Sequence, residues 1–237
     1  MLHALSLAGT TGNYGRRLRA VVIGFGATAR GAITALNAHG VHDVDVLTVR
    51  GISAVASPIP SARMVQVDHD DTNTRCSRVH TDDGLVPLPE FLAQHDIIVN
   101  CVLQDTDSPL TFLADEDLPM LASGTMIVDV SCDEAMGFSW AKPTTFDEPT
   151  FVVGNNVVYY AVDHSPSYLW NSATWEISEA VVPYLRTVLS GPSEWDRDET
   201  IRRAIEIRNG VIQNPSILSF QRRSAEYPHA RTVSMSA

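Results

Sequence analysis

The chain has 237 residues, 44% hydrophobic and 19% charged, with a formal net charge of -11. That is ordinary globular composition, with room for one large domain or two small ones. No Lys/Arg block stands against the acidity, which excludes a nucleic-acid footprint, and no apolar run reaches membrane-spanning length.

Leu2, Leu5, Leu7 and Ala8 predict a short N-terminal helix, broken by the glycine-containing run 9–15. The β-branched stretch 19–23 predicts a first strand, and 29–38 the helix after it. Residues 44–49 and 64–67 predict the next two strands, with Pro58 and Pro60 marking the loop between them. Residues 87–94 predict a helix with proline in its first turn. The continuous apolar runs 97–101 and 126–130 have the pattern of buried parallel strands, with a short helix over 116–121 between them. Residues 151–153 and 157–162 flank Gly154-Asn155-Asn156 and predict strands that are either paired or consecutive. A long amphipathic helix is expected over 173–189, with Trp170 and Trp175 as core or interface anchors, and a second helix over 198–208. The polar tail 222–237 is expected to be loose. Strands alternating with helices give an α/β chain, a doubly wound, mainly parallel sheet of Rossmann type with C-terminal helices. The expected division is a dinucleotide-binding domain over 1–190, including the N-terminal linking helix, and a helical segment with polar tail over 191–237 packed on it.

The strongest chemical signal is Ala20-Val21-Val22-Ile23-Gly24-Phe25-Gly26-Ala27-Thr28-Ala29-Arg30-Gly31. Strand, Gly-x-Gly-x-x-Ala and helix arrive in the order that a dinucleotide site needs. Gly24 permits the tight turn, Gly26 lets a pyrophosphate approach the backbone, and Ala29 is small enough for the helix to pack on the sheet. Ala27 and Thr28 open that helix, whose free N–H groups and positive dipole end would face the phosphates. The end of the second strand bears on which nucleotide is bound. A site for an unphosphorylated ribose usually carries Asp or Glu there. This one reads Leu47-Thr48-Val49-Arg50-Gly51, and Asp43 and Asp45 come too early. Thr48 can donate a hydrogen bond and Arg50 can pair with a 2′-phosphate, so NADP(H) is the expected cofactor. The alternative is an Arg50 that decorates a loop beside a less selectively bound NAD.

In open α/β sheets ligands sit beyond the carboxyl ends of the strands, and three such ends are polar here. Asn100, Cys101 and Val102 would face the nicotinamide, or would cap a strand-to-loop turn. In Asp129-Val130-Ser131-Cys132-Asp133, Ser131 is placed beside the cofactor, and Asp133 is a carboxylate for the nicotinamide or a substrate amine. Asp129 organises the loop by accepting backbone N–H bonds, and Cys132 packs rather than attacks. Asp163 and His164 directly follow an apolar strand. His164 would exchange protons or hold the nicotinamide amide, oriented by Asp163, or would satisfy backbone groups where the next helix starts. His69 with Asp70 and Asp71, His80 with Asp82, and His95 with Asp96 match no metal signature and read as solvated surface, so no metal is expected. Cys76, Cys101 and Cys132 are odd in number and form no C-x-x-C pair, and Met1-Leu2-His3-Ala4-Leu5 lacks a basic leader. A reducing, cytoplasmic compartment is the expectation.

The residues also resemble a family. The stretches 131–137, 142–147 and Tyr159-Tyr160-Ala161-Val162-Asp163-His164-Ser165-Pro166-Ser167 are similar to carboxyethylornithine synthase and its relatives in the alanine dehydrogenase and saccharopine dehydrogenase group. Asn171-Ser172-Ala173-Thr174-Trp175-Glu176 and the stretch 208–215 extend the resemblance over nearly the whole chain. It implies an NADPH-dependent reductase joining a basic amino acid, ornithine or lysine, to a 2-oxo acid such as pyruvate, with hydride reduction of the C=N bond. It implies that Gly24, Gly26 and Ala29 hold the pyrophosphate, and that Thr48 and Arg50 hold the adenosine phosphate. Asp133 matches the carboxylate after the fifth strand, and Asp163 and His164 would lie by the nicotinamide and substrate. The family carries a substrate domain ahead of the segment resembling Leu2-His3-Ala4-Leu5, so this sequence reads as the cofactor half. Its expected partners are a second copy of itself or a separate chain carrying the substrate domain.

Overall fold

The computed structural model describes residues 1–51, 59–70 and 72–232. Pro58, Asp71 and residues 233–237, on which parts of the sequence reading fell, lie outside them. The chain divides into two compact units, Met1–Asp105 with Pro109–Ser165, and Thr106–Ser108 with Pro166–Ala237.

The first unit is built on one nine-stranded sheet. Its strands are β1 (Arg19–Ile23), β2 (Asp43–Thr48), β3 (Arg63–Asp68), β4 (Arg78–Thr81), β5 (Gly84–Pro87) and β6 (Ile97–Asn100). After a short β7 (Thr111–Leu113) outside this sheet come β8 (Met126–Asp129), a two-residue β9 (Gly137–Phe138) paired with β7, then β10 (Thr150–Val153) and β11 (Val157–Tyr160). The spatial order is β10-β11-β8-β6-β1-β2-β3-β4-β5. The six strands from β11 to β3 are parallel, and antiparallel β10 and the β4–β5 hairpin finish the two edges. This is the doubly wound sheet expected from the sequence, with two mononucleotide-type halves meeting between β1 and β6.

Period-2 burial explains the apolar runs. On β1, Val21 and Ile23 enter one core while Ala20 and Val22 enter the other. A strand covered on both faces needs apolar side chains at every position. The helix α1 (Leu2–Leu7) contributes Ala4 and Leu5 to the second core. The helix α2 (Ala27–Ala38) places Ala29, Ala32, Ile33 and Leu36 on one face against Val22 and Val44 in that same core. On the opposite face α3 (Leu88–Leu92) packs Phe91 and Leu92 in the core that holds Phe138 and Tyr159.

Several expectations are corrected. The sequence reading has no β4–β5 hairpin, whose two-residue turn is Asp82-Asp83. The helix expected from residue 87 starts at Leu88, because Pro87 closes β5 and caps α3. The segment 116–121 is a 3₁₀ turn, Asp115–Met120. Gly154-Asn155-Asn156 joins an antiparallel pair, β10 to β11, which resolves the two options left open.

In the second unit, α4 (Trp170–Ser190) and the four-residue α5 (Pro192–Trp195) precede α6 (Glu199–Ala204). The helix expected over 198–208 therefore stops early. Ile207–Arg208 (β12) pairs with Val211–Ile212 (β13) across Asn209 and Gly210, both at positive φ. Asn-Gly is the favoured two-residue hairpin turn, and it outcompetes helix continuation. After α7 (Pro215–Phe220), the tail through Thr232 is held rather than loose. His229 is buried, its Nε2 accepts the Ile212 N–H at 3.0 Å, and its carbonyl accepts from Arg223 at 3.1 Å. Trp170 and Trp175 on α4 are 69% and 68% exposed, so neither is a core residue. The division after Ser165 puts α4 with the second unit, whereas the sequence reading grouped it with the first.

Candidate functional site

Where neighbouring parallel strands are entered from opposite sides, their carboxyl ends leave a crevice. Here it opens above β1, between β2 and β6. Gly24 leaves β1 at φ +94, and a Cβ built on it would lie 3.4 Å from both the Cys101 carbonyl oxygen and Val102 Cγ2. Gly26 caps α2, and among the described residues no side-chain cap takes the N–H groups that the helix start leaves free. A Cβ on Gly26 would meet nothing within 4 Å, so the space beside those N–H groups is open.

The crevice is a cleft of about 680 Å³. Gly24, Gly26, Ala27 and Thr28 line its floor, and Thr48 and Arg50 line the β2 side. Cys101 and Val102 line the β6 side. Thr48 Oγ1 accepts the Arg50 N–H at 3.1 Å, which folds the end of β2 back and leaves the hydroxyl hydrogen to donate. The Arg30 guanidinium lies 4.2 Å over the Phe25 ring, and both residues also line the cleft. Open N–H groups, two arginines and an apolar wall suit a phosphorylated, ring-bearing ligand.

Three sequence-predicted cofactor residues do not line the cleft. Ala29 is on the buried face of α2, which is what the third small position of the motif requires. Asn100 is wholly buried, and Ser131 reaches the wall only through its hydroxyl, which donates to the Val102 carbonyl. His69, Thr74 and Ser77 line the cleft instead and were missed. His69 follows β3, whose Gln66 lies level with Thr48 of β2, so the carboxyl-end rule applied to the third strand would have found it. Its reading as solvated surface is corrected.

His95 is corrected too. It is buried, with Nδ1 2.9 Å from the Phe91 carbonyl and Nε2 3.0 Å from Asp45 Oδ2. Arg63 donates to both Asp45 oxygens at 2.7 and 2.9 Å. Burial alone would raise the Asp45 carboxyl, but the hydrogen bonds and charges of His95 and Arg63 hold it well below the usual carboxylate range. This explains an apparently misplaced carboxylate in β2: Asp45 belongs to a structural ion pair.

The strand ends beyond β6, β8 and β11 carry the remaining polar groups. Asp129 is buried and accepts from Asn100 Nδ2, from the Ser131 and Cys132 N–H groups, and from the Tyr159 hydroxyl. Burial pushes its carboxyl up, and these donors pull it back toward the ionised form. The loop-organising role expected of Asp129 is thus met, with two side-chain donors added. Asp133, Asp163 and His164 are exposed and do not line the cleft. Asp163 Oδ1 lies 2.7 Å from His164 Nδ1 and also accepts the His164 N–H at 2.8 Å. That partner holds the Asp163 carboxyl below its ordinary value. Asp133 and Asp163 act on a common neighbour. Burial, then the charges of Asp163, Asp129 and Asp133, push the Cys132 thiol up to about 11. Burial pushes Cys101 up to about 12. Neither thiol has nucleophilic character at neutral pH. Among the described residues, no group of three His, Cys, Asp or Glu side chains could hold a metal ion, and no helix is long and apolar enough to cross a membrane.

With this geometry in view, the comparisons with known proteins agree with one another. The alanine dehydrogenase of Halomonas elongata is 31% identical over 129 residues, covering 53% of this chain and 34% of that protein. That of Mycobacterium tuberculosis (strain CDC 1551 / Oshkosh) is 25% identical over 111 residues, covering 46% and 30%. The chain therefore spans about a third of the length of the curated relatives it matches. Among solved structures, an L-alanine dehydrogenase superposes with a TM-score of 0.66 at 17% identity, over 92% of this chain and 59% of that one. A transhydrogenase from Sinorhizobium meliloti superposes at 0.61 and 17%, over 84% and 53%. Both show the same fold. The family profile described as alanine dehydrogenase/PNT, C-terminal domain, matches residues 6–215, and the chain belongs to that family.

Proposed function

We propose that this chain is the pyridine-nucleotide half of a cytoplasmic oxidoreductase acting on a CH–NH bond, and that its nucleotide is NADP(H). The carrying observation is Gly26 at the uncapped start of α2, inside a cleft whose β2 edge ends in Thr48 and Arg50. That edge reads Thr48-Val49-Arg50, with no carboxylate to repel a 2′-phosphate, and Asp45, earlier in β2, is engaged by Arg63 and His95. Gly24, Gly26, Ala27 and Thr28 would hold the pyrophosphate, Thr48 and Arg50 the adenosine phosphate, and Cys101 and Val102 the nicotinamide side. The bound cofactor supplies the hydride; the protein supplies orientation and electrostatics.

The favoured reaction is reduction of the imine formed between ornithine or lysine and a 2-oxo acid such as pyruvate. Asp133 would stabilise the developing amine. His164 would exchange the proton at Nε2 while Asp163 holds Nδ1. A second reading, an amino-acid dehydrogenase, is favoured by the relatives that bear the name alanine dehydrogenase. In either case the partner is a second copy or a separate substrate-domain chain.

Fluorescence titration with NADPH and NADH, followed by addition of pyruvate with ornithine or lysine, separates the possibilities. NADPH oxidation supports imine reduction. NADP reduction by alanine alone supports the second reading. Binding without turnover supports a cofactor-binding subunit or regulatory half-protein that needs a separate substrate domain for activity, and no affinity for either cofactor sinks the proposal.

A further inference from the structure

The cleft wall beside Gly24 is made by Val102, and nothing about an ordinary strand end requires Val102 to be fixed. Yet it is held from both sides. Its N–H donates to Asn100 Oδ1 at 3.2 Å, and its carbonyl accepts the Ser131 hydroxyl. Both holding residues are tied to a single atom, Asp129 Oδ1, which takes Asn100 Nδ2 at 3.0 Å and the Ser131 N–H at 3.1 Å. The other oxygen, Oδ2, takes the Tyr159 hydroxyl at 2.6 Å. Asn100, Asp129 and Tyr159 are each at most 1% exposed, so the Asp129 end of the network is shielded from water. Its bonds join the ends of β6, β8 and β11, three adjacent strands on the β6 side of the crevice.

We propose that Asp129 is the anchor of a positioning device, in which Asn100 and Ser131 act through Val102 to set the wall against which the nicotinamide end of the cofactor lies. The inference rests on the pyridine-nucleotide reading above. It gives Asn100 and Ser131 a role without contact to the cofactor, consistent with neither lining the cleft. A carboxyl group suits the anchor because three of its four partners, Asn100 Nδ2 and the Ser131 and Cys132 N–H groups, can only donate. Among the described residues, Thr48 and Arg50 on the β2 side of the cleft share no hydrogen bond with this network.

The two ends of the cofactor therefore respond differently. Wild type, Ser131→Ala and Asp129→Ala are titrated with NADPH and with adenosine 2′,5′-bisphosphate, which lacks the nicotinamide. Both variants weaken NADPH about tenfold and leave the bisphosphate within about twofold. Ser131→Thr, which keeps the hydroxyl, restores NADPH affinity. Ser131 is only half-buried, so its variants keep the test alive if Asp129→Ala fails to fold. Parallel loss of both ligands shows a merely structural role and overturns the proposal, as does unchanged NADPH affinity. Wild type that binds neither ligand sinks the nucleotide reading itself, and this inference with it.

Discussion

Two buried aspartates show how partners decide a carboxyl's behaviour. Asp45 meets three basic side chains, Arg63, His95 and, at 3.7 Å, Arg19, and its carboxyl is held low. Asp129 meets only uncharged donors, and burial keeps it raised. Their contributions to stability have opposite signs. The depressed Asp45 group stabilises the fold above the ordinary carboxylate range, and that share is lost as pH falls through and below it. The raised Asp129 group loses its share as pH rises through its elevated value. Asp45→Asn should cost about 3 kcal/mol at neutral pH, because it takes the charge partner from Arg63 and a carboxylate acceptor from buried His95. Denaturant melts should show that the gap between wild type and variant narrows between about pH 5 and about pH 3. A gap independent of pH would mean that the ion pair is not what holds Asp45. At the cleft, Arg50→Ala should weaken NADPH by about 1.5 to 3 kcal/mol and leave NADH nearly unchanged, the loss of one charge-assisted pair. Equal loss for both cofactors would move the adenosine phosphate away from the end of β2.

At the scale of elements, the turn from β1 into α2 separates two glycine roles that sequence alone merges. Gly24 sits at φ +94, where a side chain is strained whatever the space around it. Gly24→Ala should lower stability by about 1 to 3 kcal/mol, seen as a lower melting temperature. Gly26 has ordinary backbone geometry and open space around it. Gly26→Ala should leave melting unchanged and weaken NADPH at least about tenfold, because the methyl takes the room of the pyrophosphate. A Gly26→Ala protein that binds normally would show that no ligand approaches there. The elements most legible in the sequence, β1, α2, β6 and β8, are those whose burial pattern is continuous or has a helical period. The β4–β5 and β12–β13 hairpins were missed because their strands are short and partly polar, and only Asn209-Gly210 carries a strong turn signal.

For the whole molecule, ligand binding and folding are linked. NADPH at about a hundred times its dissociation constant should add about 2.7 kcal/mol, raising the melting temperature by roughly 5–10 °C. A melting curve unmoved by NADPH would contradict the proposed function. The sequence by itself determined the doubly wound sheet and the glycine turn with its helix, because strand burial and the demands of a helix start are local properties written residue by residue. It also located the three polar strand ends. Only the tertiary structure decided what those ends do. It turned Asp45 and His95 inward as a hydrogen-bonded pair with Arg63 on the same carboxylate, brought His69 to the cleft, and made Asn100, Ser131, Asp129 and Tyr159 one network. These outcomes depend on which strands lie side by side and at what height, and residues such as Asp129 and Tyr159, 30 positions apart, meet only when β8 and β11 pair.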